Sequence, residues 1–300
     1  YNMGAKIYQN KKYIAFFLIP AFVFMLIFLY YPFIQNIINS FQHIKYMGTA
    51  ADKWNAPFYK NYLEIFKDPK MLIALKNTGI MIIATIVGEV GLAIVLSLLV
   101  SNIKKGAGFF RVVYFFPIVI SATALGLLFN LVFLYDKGMI NQLLQLIGVL
   151  DAGKNELIDW KATHPMFTML VPVIWQYVGF YFIILLPWLS GIPEDLYEAA
   201  EIDGASKLQQ VRYVTLPLLR NSICTCVVLA VTGALKVFDL PWTMFVNGMS
   251  NTWLTGTYMY SKVYVDVDYS SAIAVVIVII GVVLSVVVNQ IFKTSDDYDV

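Results

Sequence analysis

The chain has 300 residues, of which 59% are hydrophobic and only 13% are charged, with a mean hydropathy of +0.71. Soluble domains carry about a quarter charged residues, so this composition excludes an ordinary soluble domain and predicts an integral membrane protein. A formal net charge of +2 gives no reason to expect a nucleic-acid partner. Cys224 and Cys226 are two residues apart on one predicted helix, where their side chains diverge, so we expect neither a disulfide nor a metal site.

Six stretches are long and apolar enough to cross a bilayer, which takes about 20 residues. They are residues 14–34, 78–99, 112–134, 167–189, 223–245 and 272–292. Irregular backbone cannot face lipid, so the polar segments between these stretches lie outside the bilayer. We therefore predict one all-α domain of six transmembrane helices over residues 1–300, with no large inserted domain.

Basic residues near the ends of the spans predict the orientation of the chain, because cytoplasmic loops are rich in Lys and Arg. If the six spans alternate, Arg111, Arg212 and Arg220, which are all the arginines of the chain, fall on one side of the membrane. The lysines at 6, 11, 12, 104, 105, 207 and 293 fall on that side too. The 35–76 loop on the other side also holds six lysines, but the rule weakens for long loops. We expect both termini to be cytoplasmic.

The longest polar segment between two spans is residues 190–217. Pro193 suits the first position of a helix, and Glu194 and Asp195 suit the positive end of its dipole. This helix is predicted to end near Ile202.

Gly204 follows the predicted helix and suits a left-handed turn. Ser206 and Gln209 have the spacing of a capping box, which predicts a second short helix that Pro217 closes. On spacing alone, this segment is either an ordinary cytoplasmic loop with two amphipathic helices or a docking element for another protein.

The residues themselves favour the docking element. Glu198-Ala199-Ala200, Asp203-Gly204-Ala205 and Leu216-Pro217 resemble the EAA coupling loop of ABC importer permeases, in the version of the MalF-like carbohydrate importers. Further similarity lies in Leu18-Ile19-Pro20-Ala21, Tyr31-Pro32, Asn77-Thr78, Gly138-Met139-Ile140-Asn141 and Phe238-Asp239. The sequence departs from the family at Asn247-Gly248-Met249-Ser250, where relatives carry a Gly-rich turn ending in Pro.

The resemblance implies a permease subunit in the bacterial inner membrane that moves a sugar or oligosaccharide into the cytoplasm. It also implies partners: a dimer of ABC ATPases, a second homologous permease subunit that is usually not identical, and an extracytoplasmic solute-binding protein. The family's coupling residues correspond here to Glu198, Ala199, Ala200, Asp203, Gly204, Ala205, Leu216 and Pro217.

No catalytic chemistry is expected on this chain. It has no Gly-x-x-x-x-Gly-Lys-[Ser/Thr] phosphate loop, and its two histidines, His43 and His164, lie in predicted outer segments. We therefore expect no cofactor here, and place ATP and Mg²⁺ on the partner ATPase.

A sugar site needs aromatic faces and hydrogen-bonding groups, and in the resembled family such a cavity is lined by the middle of the fourth span. The candidates for substrate contact are Trp175, Gln176, Tyr177, Phe180, Tyr181 and, in the fifth span, Thr232. The alternative is that the aromatic cluster only packs the helix bundle.

Three ionisable residues within the spans have an open role, because charge in a bilayer is costly and faces a cavity or a partner. Lys236 and Asp239 are three residues apart and are predicted to pair on one helix face. Glu89 lies deep in the second span, and we expect it to contact the second permease subunit.

Two other functions remain open. A self-sufficient six-span secondary transporter or channel would need ion ligands in its spans and usually inverted repeats, and the sequence shows no convincing repeat. The second is the same ABC machine with a non-sugar solute such as a glycerol phosphate ester, but such a cargo favours arginines in the spans, where the sequence has none.

Overall fold

The computed structural model of the chain describes residues 11–101, 103, 106–151, 156–245 and 251–293. The predicted features at Lys6, Lys104, Lys105 and 247–250 lie outside the described residues. Within them the chain is mainly helical, which agrees with the all-α prediction.

The elements of the first half of the chain are helices and one short hairpin. In order they are α1 (Lys11–Met25, a π-helical turn Leu26–Tyr30, then Tyr31–Asn39), β1 (Gln42–His43), β2 (Lys53–Trp54), α2 (Lys60–Lys67), α3 (Pro69–Thr85, a π-helical turn Ile86–Gly91, then Leu92–Ser101), α4 (Ala107–Val119), α5 (Ala122–Val132) and α6 (Met139–Leu146). Strands β1 and β2 pair antiparallel, with Gln42 opposite Trp54.

The elements of the second half are all helical. In order they are α7 (Trp160–Thr163), α8 (Pro165–Ser190), α9 (Glu194–Ile202), α10 (Lys207–Gln210, a π-helical turn Val211–Thr215, then Leu216–Leu218), α11 (Arg220–Lys236), α12 (Asp239–Met244), α13 (Thr255–Lys262) and α14 (Val267–Phe292).

By length and composition, five helical stretches in the described part of the chain are able to cross a membrane, or six if one bent pair of helices is a single span. The five are Ile14–Asn39, Pro69–Ser101, Pro165–Ser190, Arg220–Met244 and Val267–Phe292. Each of them contains most or all of one predicted span, and the helices extend beyond the predicted ends. The sixth predicted span corresponds to the bent pair.

The predicted span 112–134 is divided between two helices. Helix α4 ends at Val119, and α5 begins at Ala122 with its axis turned by 95°. Ile120 is extended, and the Ser121 hydroxyl oxygen accepts a bond from the Ala124 N–H at 3.2 Å, so Ser121 caps a new helix. Serine is a preferred N-cap residue. Ser121 therefore favours the start of a second helix within this apolar stretch.

Contacts divide the chain into two compact units, Tyr1–Lys67 with Met259–Val276 and Asp68–Tyr258 with Ile277–Val300. In the first unit, the Asn61 amide donates to the Ser40 carbonyl at 3.1 Å and to the Asp268 carboxylate at 3.0 Å. Ile65 and Ile273 are fully buried there. Polar bonds and a small apolar core therefore hold this unit together.

Helix α8 lies at the centre of the second unit, packed against α3, α4 and α11. One glycine permits this packing: a Cβ on Gly179 would lie only 1.7 Å from the Tyr114 carbonyl oxygen. The backbones of α8 and α4 therefore touch. Around them lies an apolar core that includes Phe182, Leu185 and Val231, and this core fixes the position of the α8 residues that face a cavity.

Candidate functional site

Helix α9 begins and ends where the sequence predicts. Glu194 and Asp195 occupy its first turn and Ile202 its last position, while Pro193 sits one position earlier than predicted, as the N-cap. None of its residues is buried. The helix is therefore held by local bonds at its ends rather than by packing.

The turn after α9 depends on Gly204, whose φ is +78°. The Gly204 N–H donates to the Glu201 carbonyl at 3.0 Å, and the Ala205 N–H to the Ala200 carbonyl at 2.9 Å. Left-handed backbone costs other L-residues about 1–2 kcal/mol. The predicted Ser206–Gln209 capping box is present and starts α10 directly after the turn.

Helix α10 ends at Leu218, one residue beyond Pro217, which was predicted to close it. Helix α10 continues through a π-helical turn and past Pro217 to Leu218, and α11 begins at Arg220. Pro217 directly follows the π-helical turn, at the second position of the stretch Leu216–Leu218. The chain is thus helical almost without interruption from Lys207 to Lys236.

The eight predicted coupling residues lie on or beside this element. Glu198, Ala199, Asp203, Gly204 and Pro217 are exposed, and Ala200, Ala205 and Leu216 are half-buried. Two apolar side chains near the turn, Ile202 and Leu208, are 87% and 79% exposed.

A cavity of about 310 Å³ lies within the second unit, and four of the six predicted substrate residues line it: Gln176, Tyr177, Phe180 and Tyr181. They follow one side of α8 at helical spacing. Tyr177 is 36% exposed, so its phenol ring is accessible from the cavity. The cavity combines aromatic faces with hydroxyl and amide groups, a composition that suits a polyhydroxylated solute.

Gln176 also has a structural partner. Its side-chain N–H donates to the Ile120 carbonyl at 3.1 Å, which satisfies the backbone at the bend between α4 and α5. Its position at the cavity wall is therefore fixed by this bend.

The structure places two predicted substrate residues elsewhere. Trp175 does not line the cavity and packs with its ring centroid 5.9 Å from that of Phe129. The Thr232 hydroxyl donates to the Val228 carbonyl at 2.9 Å, within its own helix. Neither side chain belongs to the cavity wall, although each is next to a residue that does, Gln176 and Gly233 respectively.

The cavity contains ionisable residues that were not among the predicted contacts: Glu89, Lys236 and Asp239. Glu89 is 3% exposed and lies within the π-helical turn of α3, beside the Tyr181 hydroxyl. It therefore faces a cavity of its own chain, and its predicted contact with a second permease subunit stays a prediction. In the sequence, the signal for this role was that Glu89 is the one acidic residue deep in a predicted span.

The predicted pairing of Lys236 with Asp239 on one helix face is wrong. Helix α11 ends at Lys236 and α12 starts at Asp239, with Val237 extended between them. The described residues contain no ion pair between the two. The break instead leaves both at the cavity, and interrupted helices of this kind line the solute sites of transporters.

Comparison with known proteins identifies the class. Residues 91–296 match the family model described as "Binding-protein-dependent transport system inner membrane component". The chain belongs to this family. The resemblance read from the coupling segment is thereby confirmed, as are the multi-pass inner-membrane location and the permease class. Membership also overturns the alternative of a self-sufficient secondary transporter.

Two relatives resemble this permease over almost its whole length. It is 33% identical over 294 residues to the probable ABC transporter permease protein YurN of Bacillus subtilis, covering 96% of this chain and 99% of that one. It is 31% identical to the arabinooligosaccharides transport system permease protein AraP of Halalkalibacterium halodurans, covering 96% and 90%.

The solved structure is a bacterial alginate ABC transporter in complex with an alginate pentasaccharide-bound periplasmic protein. The permease matches it with a TM-score of 0.75 at 21% identity, covering 98% of this chain and all of that one. At this identity the match establishes the shared fold.

Proposed function

We propose that this permease moves a sugar or oligosaccharide into the cytoplasm as the membrane subunit of an ATP-driven importer. In this proposal a binding protein delivers the solute from outside, and a dimer of ATPases with bound ATP and Mg²⁺ drives the cycle. A second, related permease subunit completes the pathway. The α9–α10 element lies on the cytoplasmic side together with both termini.

One observation carries the proposal: two of the helices that line the cavity, α8 and α11, lead directly to the exposed α9–α10 element. Helix α8 holds Tyr177 and ends at Ser190, four residues before α9 begins. Helix α11 follows α10 after a single residue and ends at the cavity with Lys236. A movement of α9 and α10 is therefore transmitted along both helices to the cavity.

Two contacts support the element as a rigid body. The Tyr197 and Thr215 hydroxyl groups are 3.0 Å apart and join α9 to α10. Lys207 at the start of α10 forms an ion pair with Glu201 in the last turn of α9. A rigid element transmits force from an attached ATPase, whereas a flexible loop absorbs it.

A sugar is the proposed cargo because the cavity has aromatic faces beside hydroxyl and amide groups, and because the relative AraP is described as a transporter of arabinooligosaccharides. The phosphate-ester alternative lacks a matching feature, since the cavity wall contains no arginine in the described part of the chain.

Co-purification tests the assembly. A tagged permease expressed with its neighbouring transport genes is expected to recover an ATPase and a second permease. Ala199→Trp places a bulky side chain on the exposed face of α9 and is expected to reduce ATPase recovery. Leu146→Trp, at an 82% exposed position on α6, is the matched control and is expected to leave recovery unchanged. Recovery of the tagged permease without any ATPase would contradict the proposal.

A further inference from the structure

Glu89 is the deeply buried ionisable residue of the cavity wall. It is 3% exposed, whereas Lys236 and Asp239 are exposed at the same cavity. A carboxyl group within a span is costly to keep and points to a functional site when it faces a cavity. Its location therefore calls for a role in solute binding or release.

The local backbone holds Glu89 in this position. Residues Ile86–Gly91 form a π-helical turn between two α-helical parts of α3. A Cβ on the adjacent Gly88 would lie 2.5 Å from the Ile174 side chain, so α3 lies close against α8 at this level. A π-helical turn is less stable than α-helix and occurs frequently at functional sites.

The hydrogen-bonding capacity of Glu89 exceeds what its neighbours provide. A carboxylate has two oxygens with about four acceptor sites, and the described neighbour with a hydrogen for it is the Tyr181 hydroxyl. Within the described residues, no Lys, Arg or His lies at ion-pair distance from it. Acceptor sites therefore remain for a solute.

The charges of the cavity wall disfavour an anionic solute. The positive charge of Lys236 and the negative charge of Asp239 sum to zero, and Glu89 is either neutral or negative. The wall of the described cavity therefore has no net positive charge. Lys236 is the cation of the described wall, but the negative charge of Asp239 at the same cavity offsets its attraction for an anion, so the transfer of an anion from water into this site is poorly compensated. A neutral saccharide instead offers hydroxyl groups, which can donate to the Glu89 carboxyl oxygens whether that group is charged or neutral.

We propose that Glu89 is a specificity-determining residue that accepts hydrogen bonds from solute hydroxyl groups, so that this permease carries neutral saccharides and not uronates or sugar phosphates. The inference rests on the proposed sugar-import function. It separates the chain from the solved structure it matches, whose described solute, alginate, is an acidic polysaccharide.

The first experiment identifies the solute class with the purified cognate binding protein in a thermal-shift assay. The neutral probes are arabinotriose, raffinose and maltotriose, and the anionic probes are digalacturonate, dimannuronate and glucose 6-phosphate. We expect stabilisation by a neutral probe. Stabilisation by an anionic probe alone would overturn the inference while leaving sugar import intact. Stabilisation by none of the six would instead count against the proposed function, and the inference would fall with it.

The second experiment measures uptake of the stabilising probe by the complete transporter in proteoliposomes. Glu89→Leu removes the hydrogen-bond acceptor and is expected to raise KM about tenfold. Glu89→Gln keeps the shape of the side chain and one acceptor oxygen, and is expected to raise KM about threefold. Glu64→Gln is the matched control, because Glu64 lies exposed on α2, and is expected to leave KM unchanged.

Thermal unfolding of each assembled variant separates positioning of the solute from structural support. A purely structural Glu89 would change the unfolding temperature and leave KM as in the wild type, and this pattern would overturn the inference. If Glu89→Leu fails to assemble, the test depends on Glu89→Gln. An unchanged KM in Glu89→Gln would then overturn the inference.

Discussion

Lys207 forms an ion pair with Glu201 across the turn at Gly204, joining the first residue of α10 to the last turn of α9. The hydrogen bond and charge of Lys207 lower the pKa of the Glu201 carboxyl group. A carboxyl group with a lowered pKa stabilises the folded state above its ordinary pKa, and this contribution is lost as the pH falls through the lowered value. The pair is therefore intact throughout the neutral range and supports the shape of the turn.

The first prediction concerns the turn itself. Gly204→Val forces a β-branched residue into a left-handed conformation, although an added Cβ would meet no atom within 4 Å. The penalty of about 1–2 kcal/mol is therefore conformational and changes the turn. We expect solute-stimulated ATP hydrolysis to fall about tenfold, while basal ATP hydrolysis persists.

Gly148→Val is the matched control for this change. Gly148 has a φ of +76° and equally open surroundings, but it lies after α6 and away from α9. Its variant is expected to keep full coupling. Equal loss of coupling in both variants would mean that general destabilisation, not the α9–α10 turn, causes the effect.

Much of the α9–α10 element was predictable because its contacts are local. The end of α9, the left-handed Gly204 and the Ser206–Gln209 capping box each depend on residues within about six positions of one another. Short-range rules for helix ends describe such contacts directly. The path of the chain after Pro217 was not predictable in this way, because a proline either ends a helix or occupies its first turn.

The geometry of the cavity depends on contacts that are distant in sequence. The 95° bend after α4 is supported by a bond from Gln176, 56 residues later. Glu89 reaches the cavity through the π-helical turn of α3, and hydropathy does not reveal such a turn. The resembled family pointed to the middle of the fourth span, but the rotation of α8, which separates Trp175 from Tyr177, is set by packing.

The second prediction separates Tyr177 from Trp175. Tyr177→Ala and Phe180→Ala each remove an aromatic face from the cavity wall, and we expect kcat/KM for uptake to fall about tenfold with assembly intact. Trp175→Ala is expected to change kcat/KM less than threefold, because this ring packs on Phe129 outside the cavity. The measurement is uptake into proteoliposomes. A larger loss for Trp175→Ala than for Tyr177→Ala would show that the solute contacts the other side of α8.

The third prediction concerns the dependence of stability on pH. Burial raises the pKa of Asp266 above its ordinary value of 3.8, and nearby Asp268 raises it further, while Lys262 acts in the opposite direction. A raised carboxyl pKa contributes stability below the ordinary value and loses it as the pH rises through the raised value. The wild type is therefore expected to lose this contribution as the pH rises above about 4.

Asp266→Asn removes this titration while keeping a residue that suits the start of α14. We expect the unfolding temperature of the variant to vary less with pH between 4 and 7, and to exceed that of the wild type by about 1–3 °C at pH 7. Asp52→Asn, at an exposed position between β1 and β2, serves as the control with the same change of charge. A pH dependence of Asp266→Asn identical to that of the wild type would contradict the prediction.

The last prediction tests the contact between α8 and α4. Gly179→Ala places a Cβ 1.7 Å from the Tyr114 carbonyl oxygen, a backbone atom that moves only if α4 moves. Overpacking of this kind costs about 1–3 kcal/mol, which corresponds to a fall of about 3–10 °C in the unfolding temperature of the detergent-solubilised protein.

Gly79→Ala provides the opposite case within α3, because an added Cβ there meets no atom within 4 Å. Alanine is the better helix former by about 0.8–1.0 kcal/mol in an exposed helix interior, so this variant is expected to unfold at an unchanged or slightly higher temperature. Helix α4 leads into the bend before Ala122, which lines the cavity. Gly179→Ala is therefore also expected to impair uptake, whereas Gly79→Ala is not. Equal unfolding temperatures for the two variants would mean that α8 and α4 are further apart than the structure places them.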